Sequence, residues 1–299
     1  MIGFRVTVPA STANLGPGFD TFGLALGRYE IVELRALDDG LLVEPVDAGA
    51  GDVSDVPTGE EHLVVRALRR ACRHLDVRPP GLYLRCHHAI PHARGLGSSA
   101  AAAVAGIAAG YALADKDLDG AALELAAELE GHADNAAASL LGGLVLAWQD
   151  GGESCGGTRW QAERLEPHPT VRPVVAVADA RSSTAQARGL LPERVPHADA
   201  AFTAGRAALG LHALTTDPRL LLAGTEDRLH QQYREAAYPE TIRLVRDLRA
   251  RGVAATVSGG GPSVLALTTD GELPEGADLS GFTTAELPID RTGVRIARL

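Results

Sequence analysis

Pro91-His92-Ala93-Arg94-Gly95-Leu96-Gly97-Ser98-Ser99-Ala100-Ala101 reads as a glycine turn that opens directly into an alanine-rich helix. Glycines let a backbone come close to an anion, and the first N–H groups of a helix have no acceptor within it. The combination cradles a phosphate, and Ser98 and Ser99 add hydroxyls suited to phosphate or magnesium. Taken alone, the stretch also fits an ordinary strand-to-helix turn. It matches the dinucleotide pattern G-x-G-x-x-A at 95–100 as well, but that pattern wants its glycines directly after a strand and an acidic residue ending the next strand. Here residues 91–94 intervene and Asp115 follows a helix, so a dehydrogenase is disfavoured.

Working outward, the chain carries 28 basic and 38 acidic side chains for a net charge of −10, and Lys116 is its single lysine. It lies in Ala114-Asp115-Lys116-Asp117, with no glycine turn before it. A P-loop, a protein kinase and a pyridoxal enzyme each need a lysine at a defined place, so all three are excluded as leading readings. The acidic balance with no basic run argues against nucleic acid or an anionic membrane as partner. Cys72, Cys86 and Cys155 have no C-x-x-C spacing, which suits free thiols in a reducing cytoplasm. The N-terminus lacks the pattern of a signal peptide. Residues 95–114 are uncharged but mostly Ala, Gly and Ser, which predicts a packed internal helix rather than a membrane span.

A chain of 299 residues is long enough for two domains. The run Gly151-Gly152-Glu153-Ser154-Cys155-Gly156-Gly157 places the junction near the middle, giving expected domains 1–160 and 161–299. Strands are expected at 4–8, 29–34, 41–46, 81–90 and 143–148. A capping box at Thr58 and Glu61 is expected to start a helix with Leu63, Ala67, Ala71 and Leu75 on one face. Helices at 121–130 and 134–141 follow, the first closed by Gly131. The second half predicts a strand at 174–178, helices near 199–214 and 239–250, and strands at 253–257 and 264–267. His87 and His88 are adjacent on a strand and face opposite ways, so no zinc site is expected from them.

Two further loops carry chemistry. Pro9-Ala10-Ser11-Thr12-Ala13-Asn14-Leu15-Gly16-Pro17-Gly18-Phe19-Asp20 reads as a turn-rich loop after the first strand, and Ser258-Gly259-Gly260-Gly261-Pro262-Ser263 as a tight connection between two strands. The three segments, in this order, resemble the three signatures of the GHMP small-molecule kinases over nearly the whole chain. Within that family Glu130-Gly131-His132-Ala133-Asp134-Asn135, Ser183-Thr184-Ala185-Gln186-Ala187-Arg188 and Tyr233-Arg234-Glu235 resemble the homoserine kinases. Ala133 stands where proline is usual and Gly260 where alanine is usual, and neither change removes a charged or hydrogen-bonding side chain.

The resemblance implies an α+β fold of two domains, the ATP loop in the first and a ferredoxin-like second, with a homodimer by analogy. It implies ATP over the loop from Pro91 to Ala101, with Gly259, Gly260 and Gly261 closing it, and Mg²⁺ on Ser98 and Glu130. Asp20 would receive the ammonium of L-homoserine, Arg188 and Arg234 its carboxylate, while Asn14 and Asn135 hold the reacting end and His132 assists in positioning. Direct in-line transfer with Asn135 orienting the hydroxyl is the expected route, with Asp20 as base the lesser variant. A related acceptor alcohol, or a non-catalytic nucleotide-binding relative, are the alternatives.

Overall fold

The computed structural model describes residues 3–79, 81–151, 159–182 and 188–299. The glycine-rich run expected at the domain junction falls mostly at 152–158, and Ser183 to Ala187 of the homoserine-kinase-like segment at 183–187; both lie outside the described residues.

A seven-stranded sheet is built from β1 (Gly3–Ala13), β2 (Phe22–Leu37), β3 (Leu41–Asp47), β4 (Gly81–His88), β5 (Leu144–Asp150), β6 (Arg159–Leu165) and β11 (Arg295–Arg298). The order is β11-β1-β2-β4-β3, and β5 joins the start of β2 and then β6. β2 is long enough to serve two neighbours: Phe22–Leu24 pairs with β5, and Ile31–Leu37 with β4. The expected strand at 4–8 extends to Ala13, so the first half of the Pro9 motif is strand rather than loop, with a bulge at Pro9/Ala10.

Four helices cover this sheet: α1 (Leu63–His74), α2 (Ser98–Leu113), α3 (Gly120–Glu130) and α4 (Asp134–Leu141). The capping box expected at Thr58 is replaced by His62, whose Nδ1 accepts from the Val64 N–H at 3.2 Å; residues 58–62 are turns and the helix begins at Leu63. α2 is buried from Ala100 to Ala112 except at Ala102. No described helix is long and apolar enough to cross a membrane.

The small residues of α2 set its distance from α1. A Cβ at Gly106 would overlap the Val64 carbonyl and lie 2.7 Å from Ala67 Cβ. Helix propensity alone favours Gly106→Ala by about 1 kcal/mol, but overpacking a tight core costs about 1–3 kcal/mol. The substitution is therefore expected to lower unfolding free energy in urea. Unchanged or raised stability would contradict this packing.

The second sheet holds β7 (Arg172–Ala178), β8 (Ala254–Val257), β9 (Val264–Thr268) and β10 (Phe282–Glu286) in the order β10-β7-β9-β8, all antiparallel. That is the ferredoxin-like order, with α5 (His197–Thr215), α6 (Leu221–Gly224) and α7 (Pro239–Ala250) between β7 and β8. The fold is thus α+β, as expected. The seam at 160/161 is not where the sheets divide: it falls inside β6, which pairs with β5, and β11 returns from the far end to the edge of β1.

Candidate active site

The three loops converge where the two sheets meet. Ser11 N–H donates to the Leu96 carbonyl at 3.2 Å, and Gly259 N–H to the Ala13 carbonyl at 3.1 Å. The Ser258 hydroxyl donates to the Gly95 carbonyl at 2.7 Å and lies 2.8 Å from Thr12 Oγ1. Arg94 reaches from the glycine loop to the end of β7, donating to the carbonyls of Ala178 and Asp179 at 2.7 and 3.0 Å. Gly97 caps α2 at φ +66°, where a side chain is strained and a Cβ would overlap the Ser11 hydroxyl.

Between the loops lies a cleft of ≈ 310 Å³. Ala93 to Ser99 form one wall, Asn14 and Asp20 a second, and Glu130, His132 and Asn135 a third. Arg188, Arg234 and Gly259 to Gly261 close it. Four residues expected to bind nucleotide do not line this cleft. Ala100 and Ala101 are buried inside the first turn of α2, where the Ala101 N–H already donates to the Gly97 carbonyl at 2.8 Å. Pro91 is buried, and His92 stacks edge-on against His88 with ring centroids 5.2 Å apart.

Asp20 and Arg188 form a bidentate pair, Nη2 to Oδ1 at 2.7 Å and Nη1 to Oδ2 at 3.0 Å, and the guanidinium lies over the Phe19 ring. Arg234 is 1% exposed; its Nη1 donates to the Gly260 carbonyl at 3.2 Å and its Nε to His230 Nδ1 at 3.4 Å. Burial lowers its pKa from the ordinary guanidinium value. Asn14 lines the cleft and also ties two loops together. Its Nδ2 donates to the Gly259 carbonyl at 2.9 Å and its Oδ1 accepts from the Asp20 N–H at 3.0 Å, so it shapes the acceptor loop.

At the other end, the Ser99 hydroxyl donates to Glu130 Oε1 at 2.5 Å, so Ser99 rather than Ser98 touches this carboxylate. Burial raises the Glu130 pKa, and the Ser99 hydrogen bond and His132 only partly offset it. His132 Nδ1 sits 2.9 Å from Asp134 Oδ1. Burial opposes charge on this ring, but Asp134 and Glu130 outweigh it and the pKa is raised. Asn135 accepts from the Ser11 hydroxyl at 3.0 Å, leaving its amide nitrogen toward the cleft except for a long 3.4 Å contact with Asp134.

A chain that closes a phosphate cradle against a bipolar ion pair has the parts of a small-molecule kinase. The GHMP kinases N terminal domain matches residues 62–143, and the GHMP kinases C terminal domain matches 211–277. Homoserine kinase of Rhodococcus erythropolis is 50% identical over 304 residues, covering 96% of this chain and 95% of that one. Homoserine kinase of Streptomyces avermitilis is 48% identical, covering 99% and 96%. The chain belongs to the GHMP kinase family. Its fold agrees: the structure of a homoserine kinase from Cytophaga hutchinsonii superposes with a TM-score of 0.82 at 24% identity, covering 99% of this chain and 97% of that one.

As a GHMP kinase the protein uses ATP, and the absence of a P-loop lysine is no obstacle. The N-terminus of α2 supplies fixed partial positive charge through its amides. Sequence reasoning missed three side chains lining this site and one buried behind it. Phe19 and Asp134 were each beside a chosen residue; Ser182, which touches the Tyr238 hydroxyl, carried no motif. The fourth, His230, is fully buried, donates from Nε2 to the Gly16 carbonyl at 2.7 Å and accepts from Arg234 at Nδ1. Its spacing of four residues from Arg234 was the only signal in the sequence.

Proposed function

We propose that this GHMP kinase transfers the γ-phosphoryl group of ATP to the side-chain hydroxyl of L-homoserine, giving O-phospho-L-homoserine and ADP. The observation that carries the reading is the Asp20–Arg188 pair beside Arg234. An α-amino acid brings an ammonium and a carboxylate together, and such a pair can exchange its internal contact for both: Asp20 receives the ammonium, Arg188 and Arg234 the carboxylate. The relatives at about half identity are named for the same substrate.

The residues present fit Mg²⁺. Glu130 is a half-buried carboxylate bonded to the Ser99 hydroxyl, with Ser98 lining the same cleft, a hard oxygen donor set at the mouth of the phosphate cradle. Glu130 and the loop serines would hold the ion, and when bound it would supply positive charge to the phosphoryl oxygens. The chain's own groups do the rest. Amides of the 95–99 turn bind the phosphates, Gly259 to Gly261 close over them, and Asn135 Nδ2 orients the acceptor hydroxyl. The hydroxyl oxygen forms its bond to the γ-phosphorus as the bond to ADP breaks, and the proton leaves to solvent or a phosphate oxygen. Loose phosphoryl transfer requires alignment more than a strong base, so Asp20 is free to serve the ammonium.

The test is ADP release with Mg-ATP across homoserine, serine, threonine, mevalonate and galactose. The expected result is turnover with homoserine well above the rest. Turnover with a sugar or mevalonate but not homoserine would overturn the acceptor assignment.

A further inference from the structure

Beneath the glycine loop, two strands and a turn bring together a cluster that phosphoryl transfer does not use. Glu30 on β2 stands next to His88 at the end of β4, because the ladder pairs Ile31 with His87 and places residue 30 one step on. His92 enters from the start of the glycine loop. One ligand atom from each of Glu30, His88 and His92 lies within 4.8 Å of the other two. His87 and His88 cannot share one ion, but here the candidate ligands lie on neighbouring strands and a loop.

The cluster is poorly satisfied by the protein alone. The Glu30 carboxylate is 3% exposed and faces His88 Nδ1 at 3.4 Å, longer than a good hydrogen bond. His88 is 4% exposed, and its Nε2 is buried with no hydrogen-bond partner among the described residues. His62, ring centroid 5.8 Å from His88, has an Nε2 in the same condition. Unsatisfied buried polar atoms are costly and rare. Arg28 lies close enough to act on Glu30 electrostatically, but its guanidinium is turned to the carbonyls of Ala89 and Gly49.

We propose that Glu30, His88 and His92 form a site for a divalent transition ion of the Zn²⁺ class, separate from the magnesium end of the active site. Two imidazoles and one carboxylate are the donor set of a three-ligand zinc centre with an open fourth position. Bonds of about 2.0–2.1 Å in tetrahedral geometry put neighbouring donor atoms about 3.3 Å apart, close to the 3.4 Å between Glu30 Oε2 and His88 Nδ1, the ring nitrogen that would face the ion. Nitrogen donors also separate the ion from Mg²⁺, which prefers oxygen. Because His92 is three residues before Gly95, the ion would fasten the entrance of the phosphate loop to β2 and β4.

The test uses the full chain, stripped with chelator, desalted and titrated with Co²⁺. One equivalent is expected to give the visible absorption of low-coordinate cobalt, displaced by Zn²⁺ and not by excess Mg²⁺. Glu30→Gln and His88→Asn, on separate strands, should each weaken the binding at least about tenfold, with folding checked by circular dichroism. No absorption band in the wild-type protein would overturn the proposal, as would an undiminished band in both folded variants, which would place the ion elsewhere.

Discussion

Glu130→Gln is expected to lower kcat on the order of 100-fold or more, because deleting one preorganised electrostatic contact to a transition state typically costs that much. The loss should be greatest at limiting Mg²⁺ and only partly relieved by raising it. The same substitution should act oppositely on the empty protein. The folded-state pKa of Glu130 is raised, first by burial. The sign is then fixed: a carboxyl raised on folding favours the fold below its unfolded pKa, and that contribution disappears as pH rises through the folded value. At pH 7 the ionised carboxylate is the disfavoured form, so the glutamine variant without nucleotide should melt higher than wild type. That advantage should shrink on moving toward pH 4, and a thermal scan at the two pH values reads it. Wild-type turnover in the variant would refute the metal role, and a lower melting temperature at pH 7 would refute the electrostatic account.

The second large effect concerns the acceptor end. Asp20→Asn and Arg188→Ala should each raise KM for homoserine about 10- to 100-fold, since hydrogen bonds to charged groups contribute about 1.5–3 kcal/mol and about 1.4 kcal/mol is tenfold. KM for ATP should stay within about twofold. The two effects should not multiply. Asp20 and Arg188 hold each other in the free protein, so either single variant leaves its partner unpaired, whereas the double variant has no internal pair to exchange. A double variant less impaired than the product of the singles is the expected signature. Both side chains are more than a third exposed, so a folding defect is not expected to obscure the result. If Arg188→Ala left KM for homoserine unchanged, the carboxylate assignment would fail.

Much of this arrangement was legible because glycine and charge leave sharp marks in sequence. Gly95 and Gly97 had to be glycine, and Asp20, Glu130, Asn135, Arg188 and Arg234 are polar groups in short motifs; all seven line one cleft. The helices were visible through their apolar spacing, and α2 through its alanines. Harder to read were elements whose partners are distant. β10 and β11 are largely exposed and β6 is mostly half-buried, so they lack the clear alternation that identifies a strand. Their pairing depends on a vacant sheet edge. Asn14 was chosen correctly as a residue of the cleft but its task depends on where Gly259 falls 245 positions later. His230 has no motif of its own, and its significance arises only once Gly16 and Arg234 are on either side of its ring. The histidine cluster escaped for the same reason: ligand spacing across a ladder is invisible to spacing along a chain.

The most direct measurement is the identity of the phosphorylated product. With Mg-ATP and L-homoserine, phosphorus NMR should show a phosphomonoester coupled to the side-chain methylene growing as ADP accumulates, one for one. ADP formed without that ester, or no consumption of homoserine by protein shown to bind ATP, would contradict the account.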